Sequence, residues 1–324
     1  MELAISRGDY EIVKYLLSLK NIEVNCKRKN NILKSAFATA NDRVIQVLLA
    51  DKRIKFCKNS LSKSKVKEIV IPSFITKIGR KAFECCKLLV KITLPPSLTI
   101  IKDYTFCDCI SLEEITIPES VTSIGKFSFS NCHSLVNISL PSKLTTIGSY
   151  CFKECKALVS VTIPQSVTNI GRNAFENCQS LVKFVASQSS SLKSIEDELF
   201  IECSSLREVT IPPKVETIGW FAFYNCTNLN TLIIPPSVTE IDECAFGECT
   251  SLSNIEIPSS VNKIGRFVFK SCTSLKQIKI PSSITSLEDG TFSKCSSLTD
   301  VDIPTSVTSI GEDVFSETKV NFKQ

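Results

Sequence analysis

Proline sets the frame of this chain. Pro72, Pro95, Pro118, Pro141 and Pro164 recur every 23 residues, and after one interruption Pro212, Pro235, Pro258, Pro281 and Pro304 resume the same step. All 13 prolines lie in this register or directly beside it, the neighbours being Pro96, Pro213 and Pro236. A fixed period in this range means stacked coils, none of which can bury its apolar side alone. Such a chain folds as a solenoid, an architecture that offers binding walls more readily than a catalytic cavity.

With each proline as position zero, the unit reads as in Ile117-Pro118 through Ser139. Apolar residues fall at +3 and +6 (Val121, Ile124), at +11 (Phe129), and at +17, +20 and +22 (Leu135, Ile138, Leu140). Leu-x-x-Ile-x-Leu alternates as a strand with one buried face. Val-Thr-x-Ile-Gly predicts a second, shorter extended piece, and +8 to +15 has helical-turn spacing. Proline closes the main strand because it has no N–H for a ladder. Glycine at +7 (Gly79, Gly125, Gly148, Gly171, Gly219, Gly265, Gly311) marks a corner, where a positive φ is expected. Lys102, Glu196, Asp242 and Glu288 take that place in other coils.

Stacking turns these positions into ladders. Phenylalanine fills +11 in eleven coils, from Phe83 to Phe315, and leucine fills +17 from Leu89 to Leu298. Each buried ring contributes roughly 1.5–3 kcal/mol against exposure. Ten of the 16 cysteines fall at +14, from Cys86 to Cys295. Rungs stack about 4.7–4.9 Å apart with side chains pointing the same way, whereas a disulfide needs Cβ atoms about 3.8 Å apart and turned together. The ladder cysteines therefore read as small buried thiols, which suits a reducing compartment. Ser187 stands where the register calls for a proline, and the Ser-rich segment Gln188–Ser191 lengthens this coil by two residues. It reads as a tolerated surface loop or a local binding loop.

The unit I-P-x-S-V-T-x-I-G-x-x-A-F-x-x-C-x-S-L closely resembles the BspA-type leucine-rich repeat of bacterial surface proteins and protozoan parasites. The resemblance covers about residues 67–324 and implies eleven coils with a parallel β-sheet on the concave face. It also implies adhesion or protein binding, often at a cell surface. Residues 1–56 resemble something else. Ala4-x-x-x-Gly8, Ile12-Val13-x-x-Leu16-Leu17 and Ile22-x-Val24-Asn25 are similar to an ankyrin repeat. A second copy starts 32 residues on at Ala36, with Asn41, Val44, Ile45, Val47, Leu48 and Leu49. Asn31-Ile32-Leu33-Lys34 stands where the ankyrin T-P-L-H signature would be. A plain α-helical cap docked on the first coil accounts for the same residues. Residues 57–66 form the junction.

Chemistry is hard to place in so periodic a chain. His133 is the single histidine, no CxxC pair exists, and neither a glycine-rich phosphate loop, a G-x-S-x-G elbow nor an HExxH helix occurs. No enzyme activity, cofactor or metal is expected; a redox role for an exposed thiol among Cys26, Cys57 or Cys107 stays open. Net charge is +5, but residues 1–66 carry 14 Lys/Arg against 6 Asp/Glu while the remainder carries 24 against 27. The basic end reads as a solvated helical surface or an attractor of acidic partners, with no block long enough for nucleic acid. Neither a membrane helix nor a secretory leader is expected. Location is thus read as cytoplasmic from missing signals and reduced cysteines, or as the cell surface from the resemblance.

Two surfaces remain for a protein partner, whether from a host or the cell itself. The outward row at −2 runs Val70, Thr93, Thr116, Ser139, Thr162, Val185, Thr210, Ile233, Glu256, Lys279 and Asp302, turning from neutral to charged in the last three coils. A row at −4 includes Lys91, Glu114, Asn137, Lys183 and Glu208. An aromatic stripe at +9 holds Tyr104, Phe127, Tyr150, Phe221 and Phe267, with Trp220 and Tyr224 beside Phe221. It reads either as interface anchors or as a shield over the phenylalanine spine. The leading expectation is an adhesin-like interaction module binding through the concave sheet; the alternative is an intracellular scaffold joining two partners through its two repeat types. Oligomeric state is left open by a weakly capped final coil, Lys319 to Phe322.

Overall fold

In the computed structural model, residues 1–19, 24, 32–39 and 41–320 are described. Ile22, Asn25, Cys26, Asn31, Asn321 and Phe322 lie outside them. Residues from Phe56 onward wind into a parallel β-solenoid of about eleven turns of some 23 residues, as the proline period predicts. The main strands pair in order and in register from Glu68–Val70 through Lys91–Thr93, Glu114–Thr116, Asn137–Ser139, Ser160–Ile163 and Lys183–Ala186 to Glu208–Thr210. Thr231–Ile233 then pairs with Asn254–Glu256, and Gln277–Lys279 with Asp300–Asp302. A second set of two-residue strands, beginning with Ile100–Ile101 and Ser123–Ile124, occupies +5 and +6 and stacks likewise.

The segment from +8 to +15 is a run of turns and not a helix. Residues at +9 and +13 are left-handed, for example Phe127 (φ 56°) and Asn131 (φ 60°). Their N–H groups, with that of +11, reach the next coil: Phe127 to the Ser149 carbonyl (3.0 Å), Phe129 to Cys151 (2.8 Å) and Asn131 to Lys153 (2.8 Å). A third backbone ladder thus closes the coil. The glycines at +7 are not left-handed, contrary to expectation. Their lack of a side chain serves close approach: a Cβ on Gly148 would stand 2.6 Å from the Gly125 carbonyl carbon and the Lys126 nitrogen of the coil below. Lys102 and its counterparts show that the corner itself tolerates a side chain.

The interior follows the ladders. Phe106, Phe129 and Phe152 are fully buried and stack at 5.3 and 5.4 Å, and the stacked series continues from Phe56 to Phe315. Serine at +2 has a defined task, donating to the +3 carbonyl of the preceding coil, as Ser166 does to Leu144 at 2.6 Å. The inserted segment keeps this bond: Ser190 is buried and donates to the Val167 carbonyl at 3.5 Å. That fixes the insertion against the stack.

Among the described residues, four helices precede the solenoid: α1 (Glu2–Ser6), α2 (Tyr10–Ser18), α3 (Ile32–Thr39) and α4 (Asp42–Ala50). Asp9 and Asn41 each cap a helix, accepting from the N–H groups of Ile12 and Val44 at 3.2 Å. Helix α1 packs on α3 and α2 on α4. Val44, Ile45, Leu48 and Leu49 form a buried stripe on α4 that is continuous with the solenoid core. Residues 57–64 within the junction already follow coil geometry. Asn59 and Lys63 are left-handed, and Asn59, Leu61 and Lys63 donate to Arg80, Ala82 and Glu84 of the first coil. No helix among the described residues is long and apolar enough to cross a membrane.

Candidate interaction surface

The main strands show an exposed-buried-exposed pattern, because alternate side chains leave opposite faces of a strand. Thr93, Thr116, Ser139, Thr162, Glu256, Lys279 and Asp302 are exposed on this wall, and Thr210 is half-buried. Ile233 is 86% exposed. Register sets Ile233 directly beside Glu256 and Lys279 beside Asp302. The −4 row sets opposite charges side by side in two stretches, Glu68 to Glu114 and Lys183 to Glu208, and is otherwise mostly neutral. Lys91 pairs with Glu114 at 2.9 Å and Lys183 with Glu208 at 2.6 Å. Such exposed pairs contribute little stability, about 0–1 kcal/mol each, but they fix which charges a partner meets.

The aromatic stripe is arranged differently from free anchors. Tyr104 stacks on Phe127 at 4.8 Å and Phe127 on Tyr150 at 4.5 Å. Cations close both ends of this stack: Lys81 and Arg80 lie 4.6 and 5.1 Å from the Tyr104 ring, Lys153 and Arg172 5.7 and 5.9 Å from that of Tyr150. Ring faces are thereby occupied, and the three rings are half-buried. Phe267 leans over the next coil, where a Cβ on Gly290 would stand 2.3 Å from its ring. Phe221 meets Tyr224 edge-on at 5.2 Å, while Trp220 beside it is 55% exposed.

The ladder thiols are turned inward and used structurally. All ten donate to the backbone carbonyl at the spine position one coil earlier, as Cys109 does to Phe83 at 3.2 Å and Cys249 to Phe223 at 3.1 Å. Burial pushes the thiols of Cys86, Cys249 and Cys295 up to about 12. Cys107, expected among the exposed thiols, is 8% exposed. Burial, and then the Asp108 carboxylate, push it up to about 12. Cys85 and Cys107 both donate to the same Asp108 Oδ2 at 3.5 Å. His133 is exposed. Among the described residues no group of three or more His, Cys, Asp or Glu is placed to hold a metal ion.

Three signals escaped sequence reasoning: the serine bonds at +2, the left-handed residues at +9 and +13, and the ion pairs between coils. The first is visible as a recurring serine and the last as opposite charges 23 residues apart, as at Lys91 and Glu114.

Comparison with known families agrees with this geometry. The profile of the BspA-type leucine-rich repeat region, in six copies, matches residues 52–182, 124–253 and 218–322. Among solved structures, a leucine-rich repeat protein from Bacteroides ovatus is 28% identical, with 77% of this chain and 84% of that chain covered and a TM-score of 0.44. A leucine-rich cell surface protein from Faecalibacterium prausnitzii is 26% identical, covering 76% and 82%, with a TM-score of 0.46. The pneumococcal vaccine antigen PcpA is 22% identical, covering 79% and 69%, with a TM-score of 0.50. No curated protein matches the chain.

Proposed function

The chain belongs to the BspA-type leucine-rich repeat family, and from that premise we propose that it is a non-enzymatic module that binds a protein partner on the outward rows of its main sheet. One observation carries this reading: the wall holding Thr93, Thr116, Ser139 and Thr162 is exposed and regular, while the chain's thiols and aromatic rings are largely spent on packing. An extended, pre-formed wall of this kind recognises a partner at low ordering cost. Ile233 and Val70 are large exposed apolar groups on it, with Glu256, Lys279 and Asp302 supplying charge towards one end. Tyr104, Phe127 and Tyr150 serve as a shield over the spine, since their ring faces lie on one another or on cations, and Phe221 packs edge-on against Tyr224.

The adhesin-like form of this reading, with the chain acting at a cell surface, is supported by the family resemblance alone. A second reading, an intracellular scaffold, is favoured by the helical end. Asp9 and Asn41 start equivalent helices 32 residues apart, a spacing similar to that of ankyrin repeats. Surface biotinylation of the native cell distinguishes them: labelling supports the adhesin, and recovery confined to the cytosol supports the scaffold. Affinity capture with Ile233→Asp tests the wall itself, and Trp220→Ala, in the turn segment outside the wall, is the control that keeps the partner. Loss of the partner at unchanged melting temperature is expected of Ile233→Asp.

A further inference from the structure

We propose that the cleft between α4 and the first main strand takes an extended segment of a partner polypeptide, with one cation set opposite Glu68, which joins the main sheet as an additional first rung. The site lies at the first edge of the sheet and uses its outward main-chain groups, not the wall around Thr116, Ser139 and Thr162. In a parallel ladder, successive residues turn their main-chain groups to opposite neighbours. The Lys91 N–H donates to the Lys67 carbonyl at 3.2 Å and the Ile71 N–H to the Thr93 carbonyl at 2.9 Å. Lys67, Ile69 and Ile71 therefore face the following coil. Glu68 and Val70 turn their N–H and C=O groups the other way, towards the cleft.

Later strands of this sheet fill that side with a preceding coil, as Lys91–Thr93 does with Glu68–Val70. Here the space is a cleft of about 600 Å³, with Phe37, Ile45 and Leu49 on its cap wall and Glu68 and Val70 on its sheet wall. That volume lies within the roughly 300–1,000 Å³ of ordinary ligand sites. A strand edge with unpaired main-chain groups beside apolar side chains is the geometry of strand addition.

The rows specify the occupant. On the −4 row Glu68 stands opposite Lys91, and Lys91 opposite Glu114. A new rung thus places a single cation opposite Glu68; elsewhere on the lining Asp42 is offset by Lys65 and Lys67, so the register and not the overall charge sets this position. Its next residue is apolar, and the one after stands opposite Val70, which is 66% exposed and suits a β-branched side chain. The pattern is cation, apolar, β-branched, as in Lys91-Ile92-Thr93. A second copy offering its last strand, Asp300–Asp302, would set Asp300 against Glu68, and like charges opposed across strands are destabilising.

The test uses the whole chain and a fluorescein-labelled, end-blocked synthetic peptide copying Leu88–Ser97, read by fluorescence anisotropy. Saturable binding is expected. It weakens at least tenfold on Val70→Pro, which removes an N–H that the ladder does not use and so preserves the melting temperature. Glu68→Lys is expected to reverse the charge preference, favouring a peptide with glutamate at its lysine position; this variant carries the test should Val70→Pro unfold the protein. A sheet-face change, Thr116→Arg, leaves peptide binding intact, so failure here and failure of the sheet-face reading are separable. No saturation up to about 1 mM, equal binding by both cleft variants, or a dimer that Val70→Pro dissociates would overturn the proposal.

Discussion

The thiol of Cys132 donates to the carbonyl of Phe106, one coil earlier, at 3.3 Å. The same carbonyl also receives the Cys109 N–H at 3.2 Å. One small side chain thus fills space beside the spine and ties two coils together. Serine would supply a donor with less apolar volume, and alanine would supply neither, which is the physical case for cysteine at +14.

Those thiols are expected to resist labelling while the protein is folded. Only the thiolate reacts, and burial disfavours it. Iodoacetamide under native conditions, read by peptide mass spectrometry, should leave Cys132, Cys226 and Cys272 unmodified, with the partly buried Cys57 and Cys85 modified ahead of them. Equal labelling of ladder and surface positions would contradict the packing.

Alkaline pH should destabilise the fold. A folded thiol at about 12, against an ordinary value of 9.0, binds its proton more tightly than the unfolded one. Stability from Cys86, Cys249 and Cys295 is therefore fully present below pH 9 and lost as pH rises towards 12. Each thiol contributes a slope of at most about 1.4 kcal/mol per pH unit in that window. Denaturant midpoints of the wild type and a Cys86→Ala/Cys249→Ala/Cys295→Ala variant should converge between pH 9 and 11.

Phe129→Ala should cost about 3–5 kcal/mol. The ring is fully buried and stacked on both sides, so its loss opens a cavity in the middle of the spine. Urea unfolding checks this; a loss under 1 kcal/mol would mean the rings are not packed as described.

Gly148→Ala should destabilise by about 1–3 kcal/mol through overpacking. The added Cβ meets backbone, which cannot rotate away. Removing a side chain at the equivalent corner, Lys102→Gly, should have little effect, and thermal melts of the two variants give the contrast.

The fold was legible because its core residues repeat: proline, phenylalanine, leucine and cysteine each keep one place in nearly every coil, and the strands follow by alternation. The corner was misread because sequence ties glycine to positive φ. Here glycine answers to the backbone of the coil below, while Phe127 and Asn131 take the left-handed turns. At +9 the identity of Tyr104, Phe127 and Tyr150 was plain, but their mutual stacking depends on where the turn aims them. The cleft at Glu68 was invisible because a first rung looks like the others in sequence; what differs is the neighbour it lacks.

The most direct measurement is capture of partner proteins from native extracts by the wild type and by a sheet-face variant carrying Thr116→Arg, Ser139→Glu and Thr162→Arg, whose charges alternate from strand to strand. These exposed positions sit on three consecutive strands, so the variant should melt like the wild type. The account predicts that a saturable protein partner held by the wild type is lost by the variant. Undiminished capture of that partner by a correctly folded variant would contradict it.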